Sequence, residues 1–457
     1  MIRQLIDKYD QPVPRYTSYP TAPNFHAGID AEIYRRWLHE SDPDQPLSLY
    51  LHVPYCSQMC WYCGCHTKVS NRYEPIADFV DLLIAEIDLM AGMLDEAGGR
   101  PRRVAHLHWG GGTPNVLAPD DFRRVMRQLT TRFQFLPSSI RAVELDPRWF
   151  SNDLVQALRE SRINRASLGV QDFDPQVQQA IGRLQPLDLV RRAVTDLRSI
   201  GVGSINLDLI YGLPYQTVAS LTRSIELAVA LQPDRLSLFG YAHVPWMKPH
   251  QRLIESAALP DAAARWQLYQ AALATIQAHG YIAIGLDHFA KPRDELAMAA
   301  QRGVLKRNFQ GYTTDTSALL IGLGPSAIST LPQGYVQNDA SIHGWSRAMD
   351  EGRLPIVRGV ALSGEDRLRR ALIEGLMCNG TIDLQALAGE FGAEMTLFDD
   401  DLRRLSPLID DGLVVVDGAS ITMTPAGQPL IRVVSACFDR YLHDATAAGI
   451  RRHSRAV

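Results

Sequence analysis

The sequence predicts an α/β fold with a parallel sheet in its larger part and a smaller, mostly helical C-terminal domain. The chain has 457 residues, more than a single hydrophobic core normally supports, so two or three domains are expected. Apolar runs of strand length alternate with helical segments in about six units before residue 290, which is typical of a parallel sheet, either doubly wound or barrel-like. The pattern changes beyond residue 355. We expect an N-terminal arm over residues 1–35, a large domain over 36–350 and a C-terminal domain over 351–457.

The composition excludes several classes of protein. Lys and Arg number 46 against 50 Asp and Glu, a net charge of −4, and no long basic run is present, so no nucleic-acid partner is expected. Charges near the N-terminus interrupt any secretory signal, and the longest uncharged stretch, residues 316–338, is too rich in Gly, Pro, Ser and Gln to span a membrane. We therefore expect a cytoplasmic protein without a membrane partner. Cysteines stay reduced in that compartment, which disfavours a disulfide framework.

The arm and the first strand have different patterns. The segment "VPRYTSYPTAPNF" is rich in Pro, Tyr and Thr without a period, and predicts an irregular arm laid over a surface. "LSLYLHV" at 47–53 alternates apolar and polar residues, so a strand here would direct Tyr50 and His52 to one face. Residues 76–94 then have apolar side chains at helical spacing. Further buried strands are predicted at "VAHLHW", "RAVEL", "RASLGV", "INLDLIYG", "RLSLFGY" and "YIAIGL", and further helices at Leu187–Ile200, Thr217–Leu231 and Asp261–Gly280.

Gly, Pro and polar residues cluster where the predicted strands end. Ligands of parallel α/β proteins gather at the carboxyl ends of the strands, so these segments predict one shared pocket. The strand ends are "HWGGGTP" at 108–114, "ELDP" at 144–147, "GVQDF" at 169–173, "DLIYGLP" at 208–214, "GYAHVP" at 240–245 and "GLDHFA" at 285–290.

The C-terminal part contains helical segments followed by "LVVVDGASITMTP", which predicts a β-hairpin turning on Asp417 and Gly418. Helices followed by such a hairpin resemble a winged-helix fold, which often binds DNA. These helices carry many acidic residues, so a structural or lid role is the expected use.

Four of the six cysteines lie within ten residues, in "CSQMCWYCGC" at 56–65. A structural zinc site is one alternative because four thiols are present, although such sites usually take their ligands as two separated pairs. A reduced cysteine-rich turn without metal is another. The spacing C-x3-C-x2-C of Cys56, Cys60 and Cys63 favours an iron–sulfur cluster, since three thiolates can hold three irons of a 4Fe-4S cluster and leave the fourth open to a ligand. Cys65 has no assigned role in that interpretation.

Two features downstream support a ligand pocket. The run "GGG" at 110–112 would let the backbone approach a ligand amine or carboxylate closely, although such a run is also common in tight turns. Glu144 closes its predicted strand with a carboxylate suited to a cationic amino group or a ribose. A plain salt bridge is the alternative use of that side chain.

Together the motifs give a family resemblance. The chain resembles the oxygen-independent coproporphyrinogen III oxidases, also called coproporphyrinogen dehydrogenases, which are radical S-adenosylmethionine (SAM) enzymes. The stretches that carry the resemblance are "PRYTSYPTA" at 14–22, "CSQMCWYCGC", "LHWGGGTP", "GVQDF", "NLDLIYGLP", "YAHVP", "GLDHFA", "RNFQGYTT" at 307–314 and "GPSAIS" at 324–329. The resemblance implies a partial (β/α)6, TIM-like radical SAM barrel with an N-terminal arm and a smaller, winged-helix-like C-terminal domain.

The resemblance also implies an activity. It is the oxidative decarboxylation of two propionate side chains of coproporphyrinogen III to vinyl groups, giving protoporphyrinogen IX in heme biosynthesis without oxygen. The implied cofactors are one 4Fe-4S cluster and two molecules of SAM, and cleavage of SAM yields the 5′-deoxyadenosyl radical that starts the reaction. The implied partners are the porphyrinogen substrate and an electron donor and acceptor that the sequence does not identify. A monomer is expected.

The resemblance assigns roles position by position. Cys56, Cys60 and Cys63 would ligate the cluster. Cys65 would be a non-ligand nearby. The cluster-bound SAM would contact Tyr50, Gly111, Glu144 and Ile328, and the second SAM would contact Tyr62, Gly112, Thr113, Gln171, Arg183, Asp208 and Ala242.

The four carboxylates of the substrate require basic or donor groups. The candidates are Arg15 in the arm, His288, and Lys306 and Arg307 before "NFQGYTT". For each, a solvated surface charge is the alternative, because most Arg and Lys side chains are exposed.

A second function stays open. A related heme-trafficking protein binds heme without oxidising coproporphyrinogen, and a winged-helix regulator with a sensor cluster would bind DNA. The fourth cysteine, the "PRYTSYPT" arm and "RNFQGYTT" favour the dehydrogenase over the trafficking protein, and the acidic C-terminal helices disfavour the regulator.

Overall fold

The computed structural model describes Leu5 and residues 8–447. The strands are β1 (Leu47–Val53), β2 (Tyr55–Cys56), β3 (Lys68–Val69), β4 (Arg103–Gly111), β5 (Gln134–Leu145), β6 (Arg165–Gln171), β7 (Ser204–Tyr211), β8 (Arg235–Gly240), β9 (Ile282–Ile284), β10 (His288–Ala290), β11 (Lys306–Asn308), β12 (Gly311–Thr313), β13 (Leu320–Leu323), β14 (Ile328–Leu331), β15 (Gly334–Asn338), β16 (Ile356–Ala361), β17 (Thr381–Asp383), β18 (Val414–Asp417) and β19 (Ser420–Met423).

Helices connect most of these strands. They are α1 (Ala31–His39), α2 (Glu74–Gly98), α3 (Pro119–Arg132), α4 (Asn152–Glu160), α5 (Pro175–Ala180), α6 (Leu187–Ser199), α7 (Val218–Ala230), α8 (Ala262–Ala278), α9 (Glu295–Gln301), α10 (Ile342–Asp350), α11 (Gly364–Asn379), α12 (Leu384–Phe391), α13 (Asp399–Asp410), α14 (Ile431–Ala436) and α15 (Arg440–Ala447). Among the residues described, no helix is both long and apolar enough to span a membrane.

The main sheet has twelve strands, and six neighbouring strands in it follow the order of the chain. β1, β4, β5, β6, β7 and β8 are neighbours in chain order and pair in parallel, so each helical crossover moves one strand along the sheet. A doubly wound sheet would reverse its strand order, whereas this order is that of a barrel. β13 pairs in parallel on the far side of β1, and antiparallel strands extend both edges, so the barrel is partial. The predicted α/β fold with six βα units is confirmed.

The alternating pattern of β1 places its side chains as predicted. The hydroxyl of Tyr50 lies 3.0 Å from Nδ1 of His52, so both side chains are on the same face of the sheet. Leu49, Leu51 and Val53 on the opposite face are buried in the main core. The prediction for "YIAIGL" is only partly right, because β9 is a three-residue antiparallel strand at the sheet edge rather than part of a further parallel unit.

The C-terminal domain follows the order α11, β17, α12, α13, β18 and β19, the arrangement predicted from its helices and hairpin. Gly418 takes φ +59° in the hairpin turn, a conformation that glycine adopts without a Cβ penalty. The arm packs on this domain, where Val13, Tyr16 and Tyr19 are buried in its core. β16 pairs with β15, so residues 356–361 are hydrogen-bonded to the main sheet.

A buried carboxylate ties α2 to the strands beyond β1. Glu86 is 1% exposed, and it accepts hydrogen bonds from the backbone N–H of Gly324 at 2.7 Å, from Nδ2 of Asn338 at 2.7 Å and from Nε1 of Trp345 at 3.1 Å. Burial raises the pKa of Glu86 to about 7, although these three hydrogen bonds act to lower it. The carboxylate therefore orders the turn between β13 and β14 at the cost of an unfavourable charge.

The raised pKa predicts a pH-dependent stability. The folded pKa lies above the ordinary value of 4.5, so the stabilising contribution of Glu86 is complete below pH 4.5 and is lost as the pH rises through about 7. The free energy of unfolding of the wild type minus that of Glu86→Gln is expected to fall by about 3 kcal/mol between about pH 4 and pH 8. Urea unfolding of both proteins across this range measures it. A difference that does not change with pH would contradict the raised pKa.

Candidate active site

The six parallel strands and β10 surround a cavity of about 310 Å³. Because residues from β1, β4, β5, β6, β7 and β8 all line it, the sheet curves around one interior space. The titratable side chains in the lining are His106, His108, Glu144, Arg165, Asp208, Arg235, His288, Tyr312 and Asp315. The strand order brings Glu144, Asp208 and His288 together as the sequence predicts for a shared pocket.

The cysteine loop connects β1 to α2 at the carboxyl end of the sheet. Its ends are closed by the short pairing of β2 with β3, in which Tyr55 lies opposite Lys68 and Cys56 opposite Val69. The Sγ of Cys56 accepts a hydrogen bond from the hydroxyl of Thr67 at 3.2 Å. The loop is therefore a closed structure, and it follows β1 directly at the carboxyl end of the sheet.

Cys60 lies between two guanidinium groups. Its Sγ accepts hydrogen bonds from Arg183 at 3.3 Å and Arg148 at 3.4 Å, and Asp146 binds the same two arginines at 3.1 Å and 2.7 Å. Burial would raise the pKa of Asp146, but the charges of Arg183 and Arg148 lower it overall. Both guanidinium groups therefore donate to the same sulfur, and donors of this kind accompany thiolate ligands of iron.

Cys63 and Cys56 have opposite electrostatic surroundings. A hydrogen bond from the Cys65 thiol lowers the pKa of Cys63 to about 6, and the backbone N–H of Cys65 also donates to Cys63 Sγ at 3.4 Å. Burial raises the pKa of Cys56 to about 11. Cys65 thus acts here as a donor to Cys63, and this contact assigns it a structural part in the loop.

The donor set fits an iron–sulfur cluster in its chemistry. Each of Cys56, Cys60 and Cys63 accepts at least one hydrogen bond at sulfur, and such donors accompany thiolate ligands of iron. In the part of the chain that is described, no three His, Cys, Asp or Glu side chains are drawn together as a metal site. The fit therefore rests on the thiols and their donors and not on a preformed ligand geometry.

The glycine run packs against the chain that enters the cysteine loop. The N–H of Gly112 donates to the carbonyl of Val53 at 2.7 Å, and the N–H of Thr113 donates to that of Tyr55 at 3.0 Å. Gly111 takes φ +111°, which side chains rarely adopt. A Cβ on Gly112 would lie 2.4 Å from the Tyr55 carbonyl oxygen, so only glycine fits against this backbone.

Gly112→Ala is expected to lower the free energy of unfolding by about 1–3 kcal/mol, because a methyl group there overlaps fixed backbone. The matched control is Gly64→Ala in the cysteine loop itself, where an added Cβ has nothing within 4 Å and no change is expected. Urea unfolding of both variants measures the difference. Equal stabilities would mean that the chain moves to admit the methyl group at Gly112.

Of the residues assigned to the cluster-bound SAM, two lie close together. Glu144 accepts a hydrogen bond from Nε2 of His108 at 2.8 Å, and the ring of His108 lies 5.8 Å from that of Tyr50. The side chain of Glu144 is 41% exposed, in the lining of the cavity. Ile328 is half-buried on β14, two strands from Tyr50.

Of the residues assigned to the second SAM, Gln171 lies on β6, Asp208 on β7 and Ala242 in the loop after β8, whereas Tyr62 lies in the cysteine loop and Gly112 and Thr113 follow β4. Asp208 accepts hydrogen bonds from Ser167 and from Asn206, each at 2.8 Å, and burial raises its pKa. Gln171 is buried at a bulge of β6 with φ +70°, an uncommon conformation for a residue other than glycine. Arg183, three residues beyond the end of α5, donates to the carbonyl of Gly169 at 2.6 Å.

One glutamine joins two of these positions. Nε2 of Gln251 donates to the carbonyl of Tyr62 at 2.9 Å and to that of Ala242 at 3.2 Å. Gln251 was not among the predicted residues, and neither were Asp146 and Arg148, because their functional contacts are with segments far away in sequence. "ELDPRW" at the end of β5 is the only signal for Asp146 and Arg148 that the sequence offers.

Three of the four substrate candidates meet around one carboxylate. Asp287 binds Arg15 at 2.6 Å and His288 at 2.7 Å. Burial would raise the pKa of Asp287, but His288, Arg15 and Arg307 hold it far below its ordinary value. Lys306 is 47% exposed and pairs with Glu374 at 3.4 Å, away from this cluster.

Arg307 lies under the arm. Its guanidinium stacks at 4.3 Å over the ring of Tyr312, which lines the large cavity, and its Nη2 donates to the carbonyl of Arg15 at 3.3 Å. Its Nε and Nη1 are buried and donate no hydrogen bond within the described residues. Arg307 also lines a second cavity of about 40 Å³, closed by arm residues 16–19 and by α11.

Comparisons with known proteins agree with this architecture. A family model described as "Radical SAM superfamily" matches residues 50–228, and one described as "HemN C-terminal domain" matches residues 362–430. The oxygen-independent coproporphyrinogen III oxidase of Bradyrhizobium diazoefficiens is 47% identical over 448 residues, 98% of each chain. The enzyme of that name from Salmonella typhimurium is 39% identical and covers 99% of this chain and 98% of its own.

A solved structure agrees over nearly the whole chain. Coproporphyrinogen III oxidase from Escherichia coli, described as a radical SAM enzyme, superimposes with a TM-score of 0.89 at 39% sequence identity. The match covers 94% of this chain and 100% of that structure. Fold, motifs and full-length similarity lead to one conclusion: the chain belongs to the oxygen-independent coproporphyrinogen III oxidase family of radical SAM enzymes.

Proposed function

We propose that the protein decarboxylates two propionate side chains of coproporphyrinogen III to vinyl groups without oxygen, giving protoporphyrinogen IX. The observation that carries the proposal is a loop of three cysteines that follows β1 at the carboxyl end of a sheet, where the same sheet surrounds a 310 Å³ cavity lined with charged and polar side chains. A cavity inside the barrel keeps water and stray hydrogen donors away from a radical reaction. The full-length similarity to enzymes of that name supports the same activity.

Cys56, Cys60 and Cys63 would hold one 4Fe-4S cluster through three irons. With SAM bound, this cofactor supplies the 5′-deoxyadenosyl radical that takes hydrogen from the propionate carbon next to the ring. Tyr50, Gly111, Glu144 and Ile328 would contact the SAM at the cluster. Glu144 offers its carboxylate to the amino or ribose group, since its only hydrogen-bond partner among the described residues is His108.

A second SAM would lie along β6 and β7. Its contacts would be Tyr62, Gly112, Thr113, Gln171, Arg183, Asp208 and Ala242. Asp208 and Arg183 give this site one acidic and one cationic side chain, which suit the ammonium and carboxylate groups of a zwitterionic amino acid. Arg183 also contacts Cys60, so the same side chain would connect the second SAM to a cluster ligand.

The substrate carboxylates would be bound by Arg15, His288 and Arg307. The chain's own residues act by positioning, since loss of carbon dioxide and an electron from the substrate radical requires no acid–base pair. Arg15 lies 5.7 Å from the ring of Phe239, which lines the cavity, so the arm brings a cation to the edge of the site. Lys306 stays a weaker candidate because of its exposure.

The test is anaerobic reconstitution followed by reduction and addition of coproporphyrinogen III. Release of two carbon dioxide per substrate and formation of protoporphyrinogen IX are expected. Tight heme binding without decarboxylation would overturn the proposal in favour of a heme-trafficking protein. Four statements stay predictions: that the protein is a cytoplasmic monomer, that it uses an electron donor and an electron acceptor, that it has no nucleic-acid or membrane partner, and that its domains divide at residues 35 and 350.

A further inference from the structure

A surface beside the cysteine loop exposes large apolar side chains. Residues 244–254 include Trp246, Met247 and Leu253, which are 72%, 64% and 60% exposed. Single exposed apolar residues are common on soluble proteins, but three within eight residues form a patch of the kind that marks a protein contact. Trp and Met are also enriched in protein interfaces. We call this surface the 244–254 face.

The same segment is hydrogen-bonded directly to the cysteine loop. Nζ of Lys248 donates to the carbonyl of Cys65 at 2.8 Å, and Nε2 of His250 donates to that of Cys63 at 2.7 Å. Gln251 donates to the carbonyl of Tyr62 at 2.9 Å. One hydrogen bond therefore separates the segment that carries the face from the backbone of a cluster ligand.

The charge of this segment is opposite to that of the whole chain. No Asp or Glu occurs between residues 235 and 254, whereas Lys248 and Arg252 give the segment two positive charges, and the chain as a whole has a net charge of −4. Arg252 is exposed. The next acid along the chain, Glu255, is engaged by the hydroxyl of Tyr215. A basic surface with an apolar centre favours an acidic protein partner.

We propose that the 244–254 face docks a small acidic one-electron carrier protein that reduces the cluster. This inference rests on the proposed function, because radical formation consumes electrons that the chain does not contain. One electron leaves the carrier for each SAM that is cleaved to methionine and the 5′-deoxyadenosyl radical, and the carrier is oxidised. Contacts between redox partners are small and transient, so a few exposed apolar residues with basic neighbours suffice.

The test compares two reductants on the same variants. Trp246→Glu and Leu253→Glu place a negative charge in the centre of the face, and Val415→Glu on β18 is the matched control, since Val415 is also 55% exposed. The assay is SAM cleavage without porphyrinogen, driven either by dithionite or by a flavodoxin kept reduced by its reductase. For the two face variants, the KM for flavodoxin is expected to rise about tenfold or more, because a central Trp or Leu anchor is lost and a like charge is added. Dithionite-driven cleavage and the control are expected to stay at wild-type rates.

Arg252→Gln provides a second measurement. Loss of a rim charge is expected to reduce the dependence of flavodoxin-driven cleavage on ionic strength. An unchanged KM for flavodoxin in both face variants would overturn the docking proposal, and so would equal losses with flavodoxin and dithionite. If the wild-type protein cleaves SAM but does not decarboxylate coproporphyrinogen, the proposed function is overturned. The comparison of the two reductants would still decide whether the carrier docks on the 244–254 face.

Discussion

Cys60→Ala is expected to retain less than about a tenth of the iron and sulfide of the reconstituted wild type, because a cluster held by three protein ligands loses one of them. Cys60 is also the sulfur that lies between two arginines. Arg148 and Arg183 both donate to it, and Asp146 holds both arginines in place. The alanine variant would leave two buried cations beside a methyl group. Iron and sulfide analysis after anaerobic reconstitution measures the loss.

Cys65→Ser is the matched control for this variant. Cys65 is exposed in the same loop and contacts Cys63 through its N–H, which a serine retains. It should keep the cluster at the wild-type iron content. Loss of iron in Cys65→Ser would make the fourth thiol a ligand and exclude an open iron, and wild-type iron content in Cys60→Ala would remove Cys60 from the ligand set. Far-ultraviolet circular dichroism on both variants establishes that the chain is folded.

The fold was predictable because its signals are local. The alternation in β1 and the helical spacing in α2 are each contained within one segment, and β6 and β7 likewise alternate between buried and less buried residues. The order of strands in the sheet is not a local property. Residue patterns left a doubly wound sheet and a barrel open, and only the pairing of successive strands β4 to β8 decides between them.

The site was predictable where a motif carries it and not where distant segments meet. The cysteine spacing and the glycine run are short and contiguous, and both follow the carboxyl ends of neighbouring strands, β1 and β4. Gln251 contacts Tyr62 from 189 residues away, and Arg148 contacts Cys60 from 88 residues away. Asp287 lies in the strand end "GLDHFA", which the sequence does point to. Its role as the carboxylate that joins Arg15 and His288 depends on a contact with the arm, 272 residues earlier in the chain. Such contacts have no signal in a single sequence.

The second prediction with a large expected effect concerns Arg307. Arg307→Ala is expected to lower kcat/KM for coproporphyrinogen about thirtyfold or more, since removing one partner of a buried charged hydrogen bond costs about 2–5 kcal/mol. The guanidinium is held over Tyr312, and two of its buried N–H groups have no acceptor in the described residues, so it can receive a substrate carboxylate. Cleavage of SAM without porphyrinogen is expected to fall much less, because the cysteine loop is not among the contacts of Arg307. Parallel assays of both reactions measure the two losses.

Two neighbouring variants separate a substrate contact from a structural role. Lys306→Ala removes the adjacent cation, which is half exposed and paired with Glu374, and both reactions should stay close to wild type. Arg307→Lys keeps the charge but not the planar fork, so it should recover part of the turnover if a carboxylate is bound there. Because Arg307 also donates to the arm at Arg15, a structural role would lower both reactions together and lysine would restore neither. Equal losses in the two assays would therefore remove Arg307 from the substrate site and leave His288 and Arg15 as the groups that face the carboxylates.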